Sequence, residues 1–223
     1  VISGNSTYLF ALNCTKNYRN GTQFYVQLVD SYSNPLANRT VSITINGRTY
    51  NRTTDVNGWA TMNINLQPGE YEALCAYYGP QKSDNAFAKA VIKVLPTILA
   101  DNLVKYYLNG SQFHVKVIDG SGNPIVNTNV SMNINGVFYV RQTNSDGIAT
   151  LNIKLWSGKY ILTVHNPYDG LLKSFDVTVL PTIESNDLVK YYHNDSQFYA
   201  KFVDGAGNPL VKSGRIYFNI YSS

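Results

Sequence analysis

Residues able to do chemistry are few in this chain of 223 residues. Two cysteines, Cys14 and Cys75, and three histidines, His114, His165 and His193, stand among scattered carboxylates and lysines. No His, Cys or carboxylate grouping has the spacing of a metal site. No Ser/His/Asp set and no carboxylate pair recommends itself for acid–base work. The segments Asp55-x-Asn57-Gly58 and Asn144-x-Asp146-Gly147 share a few residues with calcium loops. They lack the later ligands, the distal glutamate included, and read as tight turns. The sequence therefore predicts no catalytic residue, no metal and no cofactor. What it does hold in number is the triplet Asn-x-Ser/Thr, at Asn5, Asn13, Asn20, Asn38, Asn51, Asn109, Asn129 and Asn194. Such triplets are acceptors for N-glycosylation in an exported protein.

The elements that must position these residues come as copies. "LVKYYLNGSQFHVKVIDGSGNPIV" (residues 103–126) returns as "LVKYYHNDSQFYAKFVDGAGNPLV" (188–211), with 16 of 24 positions identical and an offset of 85 (188 − 103). A third copy, "NCTKNYRNGTQFYVQLVDSYSNPLA" (13–37), matches residues 102–126 at an offset of 89 (102 − 13). The match continues through "VSITINGRTY" and "VSMNINGVFY", then "TDVNGWATMNINLQPGEY" and "TNSDGIATLNIKLWSGKY", and "VLPTI" occurs twice. The change of offset places a short deletion after Tyr160, opposite the loop-like stretch 77–87, where insertions are tolerated. Repeats at a fixed period mark arrays of one structural unit. The units run 1–97, 98–182 and 183–223, the last holding only the first strands.

Within a unit the period is two. Phe113, Val115 and Val117 share one face against Gln112, His114 and Lys116. Ala149, Leu151, Ile153 and Leu155 oppose Asn152 and Lys154. Such alternation gives strands with one buried face. Asn-Gly, Asp-Gly, Gly-Asn-Pro and Pro-Gly supply the turns. About six or seven short strands per unit fit an all-β sandwich.

Composition narrows the setting. Only 14% of residues are charged, against roughly 25% in ordinary soluble domains. Asn, Ser, Thr, Gly and 18 Tyr supply the polarity instead, which suits an extracellular β-protein. The net charge is +4, but the basic residues are scattered and form no stripe for nucleic acid. No apolar run is long enough to span a membrane as a helix. The chain opens at Val1 without a basic n-region or a hydrophobic stretch of signal-peptide length, so a mature form or a fragment is expected. Cys14 and Cys75 have Leu103 and Val164 as their counterparts in the second unit, an apolar pair. Their joint replacement favours neighbours joined by a disulfide, about 3–4 kcal/mol for such a loop, over two buried free thiols.

The pattern V-x-D-x-x-G-N-P-[LI], then V-x-[IM]-x-I-N-G, T-x-x-[ND]-G-x-A-x-[LM]-N-I and G-x-Y resembles the bacterial-immunoglobulin-like repeats of surface adhesins. The wording "LVKYY.N.SQF", "NING" and "VLPTI" is similar to repeats of adhesin-like proteins of methanogenic archaea. The resemblance covers residues 13–223. It implies tandem immunoglobulin-like β-sandwiches arranged as a rod, the last one incomplete, on a cell surface. Some surface immunoglobulin-like domains join a strand lysine to an asparagine, which makes Lys16, Lys105 and Lys190 candidate isopeptide lysines. Asp30, Asp119 or Asp204 would be the assisting acid, although Asn63, Asn133 and Asn152 have outward parity.

The third unit would expose Phe198, Phe202, Ile216, Phe218 and Ile220. Truncation, an unreadable end or strands from another chain would explain it, with Tyr8–Asn13 as a donor strand for a polymer. The expected function is a structural and adhesive segment of a glycosylated surface protein or filament. Its partners are neighbouring repeats and a surface or glycan ligand, with no nucleic acid. A carbohydrate-binding module array attached to a cell-wall-active enzyme is the alternative.

Overall fold

The computed structural model describes residues 6–211 and 214–221. Asn5, one of the sequons, lies outside them. The first unit carries β1 (Thr7–Ala11), β2 (Cys14–Asn17), β3 (Gln23–Asp30), β4 (Thr40–Ile45), β5 (Arg48–Thr53), β6 (Trp59–Asn63), β7 (Gly69–Tyr77) and β8 (Ala86–Leu95). The second carries β9 (Ile98–Leu99), β10 (Leu103–Tyr106), β11 (Gln112–Val117), β12 (Asn129–Ile134), β13 (Val137–Gln142), β14 (Ile148–Asn152), β15 (Gly158–His165) and β16 (Leu172–Leu180). A short 3₁₀ turn at Lys82–Asp84 lies in the loop between β7 and β8, whose counterpart between β15 and β16 is shorter.

Each unit has eight strands rather than six or seven, because its first strand divides. β1 pairs antiparallel with β3, the chain steps across at Leu12 and Asn13, and β2 pairs parallel with β8 in the opposite sheet. The second unit repeats this with β9 on β11 and β10 on β16. The resulting sheets are β1-β3-β6 against β2-β8-β7-β4-β5, and β9-β11-β14 against β10-β16-β15-β12-β13. This pairing order, with the first strand shared between two sheets, is that of an immunoglobulin-like sandwich.

The alternating residues meet between the sheets. Phe24, Val26 and Leu28 of β3 and Val41, Ile43 and Ile45 of β4 are buried. So are their counterparts Phe113, Val115 and Val117 of β11 and Val130, Met132 and Ile134 of β12. The Gly-x-Tyr motif sets the entry to β7 and β15. The Tyr71 hydroxyl donates to Gln67 O (2.9 Å), and the Tyr160 hydroxyl to Trp156 O (3.0 Å). A tyrosine bonded to backbone a few residues upstream in this way is the corner that immunoglobulin sandwiches use.

Of the third unit, β17 (Ile183–Ser185) pairs with β18 (Ala200–Phe202). Val203 is buried, whereas Phe198, Ile216, Phe218 and Ile220 are exposed. Tyr8–Asn13 is not a free donor strand. β1 is hydrogen-bonded along β3 with Leu9 in the core of its own sandwich, so the proposed donation to another chain would dismantle the first unit.

Candidate functional site

The repeated 24-residue sentence brings two turns to opposite ends of a sandwich. The first follows β2 or β10. Asn20 N donates to Asn17 O (3.1 Å) and Asn109 N to Tyr106 O (3.1 Å), closing a tight turn through Arg19 or Leu108. Both of these residues adopt left-handed backbone, at φ 60° and 57°. The turn is locked by the asparagine itself: Asn20 Oδ1 accepts from Thr22 N (2.7 Å), and Asn109 Oδ1 from Ser111 N (2.6 Å). An asparagine that bonds the backbone two residues on makes an Asx turn. Its Nδ2 is then aimed outward.

The second turn is Asp-x-x-x-Asn-Pro, at the end of β3 and after β11. Asp119 Oδ1 accepts from Ser121 N (2.8 Å) and Asn123 N (2.9 Å), and Asp119 Oδ2 accepts from Asn123 Nδ2 (3.2 Å). Asp30 and Asp204 make the same set of bonds. The Asn123 backbone N–H, foremost among these donors, holds the Asp119 carboxyl below its usual range. The Asn34 side-chain amide does most of this at Asp30, and the Asn208 backbone N–H at Asp204. A bridge from Ile118 to Pro124 ties the turn back to the sheet.

The two turns meet across the boundary between units. Asn20 Nδ2 donates to Gly120 O at 2.8 Å, and Asn17 Nδ2 reaches the same oxygen at 3.3 Å. One boundary later, Asn109 Nδ2 donates to Gly205 O. The fit is close. A Cβ at Gly120 would stand 3.0 Å from Asn20 N, and one at Gly207 2.6 Å from the Tyr106 ring. The junction is therefore the same contact used twice, each time from the asparagine turn of one unit to the aspartate turn of the next.

This accounts for the recurrence of the sequons at Asn20 and Asn109. The nitrogen that would carry a glycan is there bonded to a neighbouring unit. Asn194 repeats the Asx turn, with its Oδ1 accepting from Ser196 N (2.8 Å), and is exposed. Asn38, Asn51 and Asn129 are exposed, and Asn13 Oδ1 accepts from Val91 N (2.8 Å).

The disulfide reading is corrected. Both thiols are free and buried. Cys14 lies opposite Ile92, and Ile92 opposite Tyr71, whereas Cys75 sits four residues further along β7. Two strand spacings and four residues separate the pair by about 15 Å, far beyond the roughly 7 Å limit for a bridge. The paired replacement by Leu103 and Val164 reflects a shared core environment, not contact. Burial pushes the Cys75 thiol up to about 11 and raises Cys14 against the opposing charge of Lys16. Neither is a reactive thiolate.

The isopeptide reading is corrected as well. Lys16 and Lys105 are buried, but their ammonium groups bond backbone carbonyls. Lys16 Nζ donates to Ile64 O (2.9 Å). Lys105 Nζ donates to Asn109 O (2.5 Å), Ser111 O (3.0 Å) and Ile153 O (2.9 Å), spending all three protons. Exposed Lys190 donates to Ser196 O (3.1 Å). The aspartates intended as assisting acids are tied into their own turns. Burial lowers the affinity of Lys16 and Lys105 for their protons.

The calcium-like segments are Asx turns. Asp55 Oδ1 accepts from Asn57 N and Trp59 N, and Asn144 Oδ1 accepts from Asp146 N and Ile148 N, all at 2.9 Å. An amide and a carboxylate do the same work at this position, so the charge a calcium ion needs is not what the site uses. Among the described residues no three His, Cys, Asp or Glu side chains gather to hold a metal. No described helix is long and apolar enough to cross a membrane.

No family model and no curated protein matches the chain. Among solved structures, the titin immunoglobulin tandem A164–A165 is 12% identical at a TM-score of 0.34, over 81% of this chain and 100% of that one. Invasin, a bacterial integrin-binding protein, is 17% identical at 0.35, over 92% and 48%. A calcium-stabilised adhesin with which an Antarctic bacterium binds ice is 13% identical at 0.29, over 82% and 52%. The chain thus spans about half the length of the latter two. The immunoglobulin-like assignment rests on strand order and the tyrosine corner, not on these likenesses.

Proposed function

We propose that the chain is a non-catalytic structural and adhesive segment of a secreted cell-surface protein, in which sandwiches are keyed end to end. The observation that carries this reading is the junction: one asparagine-to-glycine contact, made by homologous residues at successive boundaries. A contact between different surfaces of identical units is heterologous and leaves an open series that further copies extend. Asn194 already presents the donor half again. Arrays of this kind project or bind rather than catalyse.

The surface setting is supported by the wording of the repeats, similar to adhesin-like proteins of methanogenic archaea, and by a polar surface poor in charge. N-glycosylation at the exposed Asn38, Asn51, Asn129 and Asn194 fits that setting. The test is protease shaving of intact source cells followed by peptide mapping. Release of peptides from this chain, with hexose-spaced masses on those sequons, supports the reading. Peptides found only after lysis, all bare, would contradict it.

A further inference from the structure

We propose that the outer face of the β1-β3-β6 sheet in the first sandwich binds a neutral polysaccharide; the idea rests on the adhesive reading and names its ligand class. Three strands bring four large apolar side chains into the open, with the partly buried Trp59 packed beside them. Across the sheet, Phe10 stands opposite Gln27 and Gln27 opposite Trp59. In the next row Leu12 N bonds Tyr25 O, and Tyr25 stands opposite Thr61. Tyr8 extends the same face of β1. Tyr8, Phe10 and Leu12 are each about half exposed, and Tyr25 is 40% exposed. Tyr25 and Trp59 meet edge to face, with ring centroids 6.1 Å apart.

Between the rings lie neutral donors and acceptors, and the Asp55 carboxylate at the start of β6 is tied into its own turn by Asn57 N and Trp59 N. Gln23 Nε2 donates to Asn63 Oδ1 (2.8 Å), and Gln27 Nε2 to Asn57 O (3.3 Å). Each of these amides keeps further hydrogen-bonding capacity for a ligand. Phe10 and Trp59 are two strand spacings apart, about 10 Å, comparable with the length of a disaccharide in an extended chain. Aromatic faces stack on the C–H surfaces of sugar rings while amides pair with hydroxyls. Rings fixed on paired strands lose little freedom on binding.

The second sandwich is an internal control. It keeps the amides of Gln23 and Asn63 and the hydroxyl of Thr61 as Gln112, Asn152 and Thr150. It replaces Tyr8, Phe10, Tyr25 and Trp59 by Thr97, Leu99, His114 and Ile148, and puts the charges of Asp101 and Lys116 where Leu12 and Gln27 stood. The same sandwich folds with either set, so the aromatic set is not required for folding. Its apolar area is exposed in a unit that has no need to expose it. The absence of any charged side chain among these rows selects an uncharged ligand, and the lack of arginine distinguishes the face from ordinary protein interfaces.

The test is native affinity electrophoresis of the whole chain in gels containing hydroxyethylcellulose, mixed-linkage β-glucan or galactomannan. The wild-type chain is expected to be retarded by at least one of them. Trp59→Ile and Tyr25→His, which install the second unit's own residues, should weaken retardation about tenfold or more. Ile148→Ala in the second unit should leave it unchanged. Equal mobility in all gels, or retardation that survives both first-unit substitutions, overturns the proposal. So does a dimer in sedimentation velocity that Trp59→Ile abolishes, since the face would then serve a second copy. Loss of the junction with binding intact would strike the array reading alone, and loss of binding with the junction intact would strike only this one.

Discussion

Asn20 and Gly120 are 100 residues apart in sequence, yet the amide of one donates to the carbonyl of the other at 2.8 Å. They occupy opposite halves of the repeated sentence, one in each of two copies. The sentence recurs because each copy must offer a donor turn to the unit after it and an acceptor turn to the unit before it. The replacement Asn20→Ala should leave both sandwiches folded and loosen their mutual orientation. A net hydrogen bond contributes about 1 kcal/mol, so the change in melting temperature should be small. Small-angle scattering should show a broader distribution of lengths.

Acid should act on the same junction. Backbone and side-chain amides hold the Asp119 carboxyl below its usual range. A depressed folded-state value contributes stability above the unfolded value of about 3.9 and loses it as pH falls through the folded value. The turn that presents Gly120 should therefore stay formed from neutral pH down to about 4 and loosen below that. Amide exchange of Ser121 and Asn123, followed with falling pH, checks this. Asp119→Asn should loosen the turn at neutral pH, because the new amide cannot accept from Asn123 Nδ2.

Lys105 is a polar plug for three carbonyls. Its replacement by methionine removes those donors and should cost about 1–3 kcal/mol. Lys16→Met should cost less, because Lys16 satisfies one carbonyl. Chemical denaturation of the two variants gives the comparison.

Gly147 has φ +75°, and a Cβ there would meet Val117 O at 2.7 Å. Left-handed strain alone costs roughly 1–3 kcal/mol, and the clash adds to it. Gly147→Ala should lower the melting temperature markedly, whereas Gly136→Ala, with open space around it, should cost only the strain.

The thiols provide a simple check on the core. Alkylation in denaturant without reductant should add two groups to the chain. Cys14→Leu with Cys75→Val, the second unit's residues, should fold as the wild type does.

Much of the fold was legible in the alternation of residues such as Phe113, Val115 and Val117, because a half-buried strand leaves a period of two. The eight-strand count was not, because the step at Leu12 and Asn13 interrupts no apolar pattern. The Cys14–Cys75 pairing failed for a related reason: two residues can change together by sharing a buried sheet face without touching. The junction left a signal in the recurrence of Asn20, Asn109 and Asn194, but a sequon hides an Asx turn, since both need Asn followed two residues on by a hydrogen-bonding partner. The aromatic face of the first unit was visible only once strand pairing placed Phe10, Tyr25 and Trp59 on one surface. They are scattered over 50 positions (59 − 10 + 1) of the sequence.

The most direct test of the keyed array is the distribution of distances between spin labels placed on the exposed faces of the first and second sandwiches, in the wild type and in Asn17→Ala/Asn20→Ala. A narrow wild-type distribution that broadens in the variant is the predicted result. A distribution equally broad in both, or equally narrow in both, would contradict the claim that these side chains key one unit to the next.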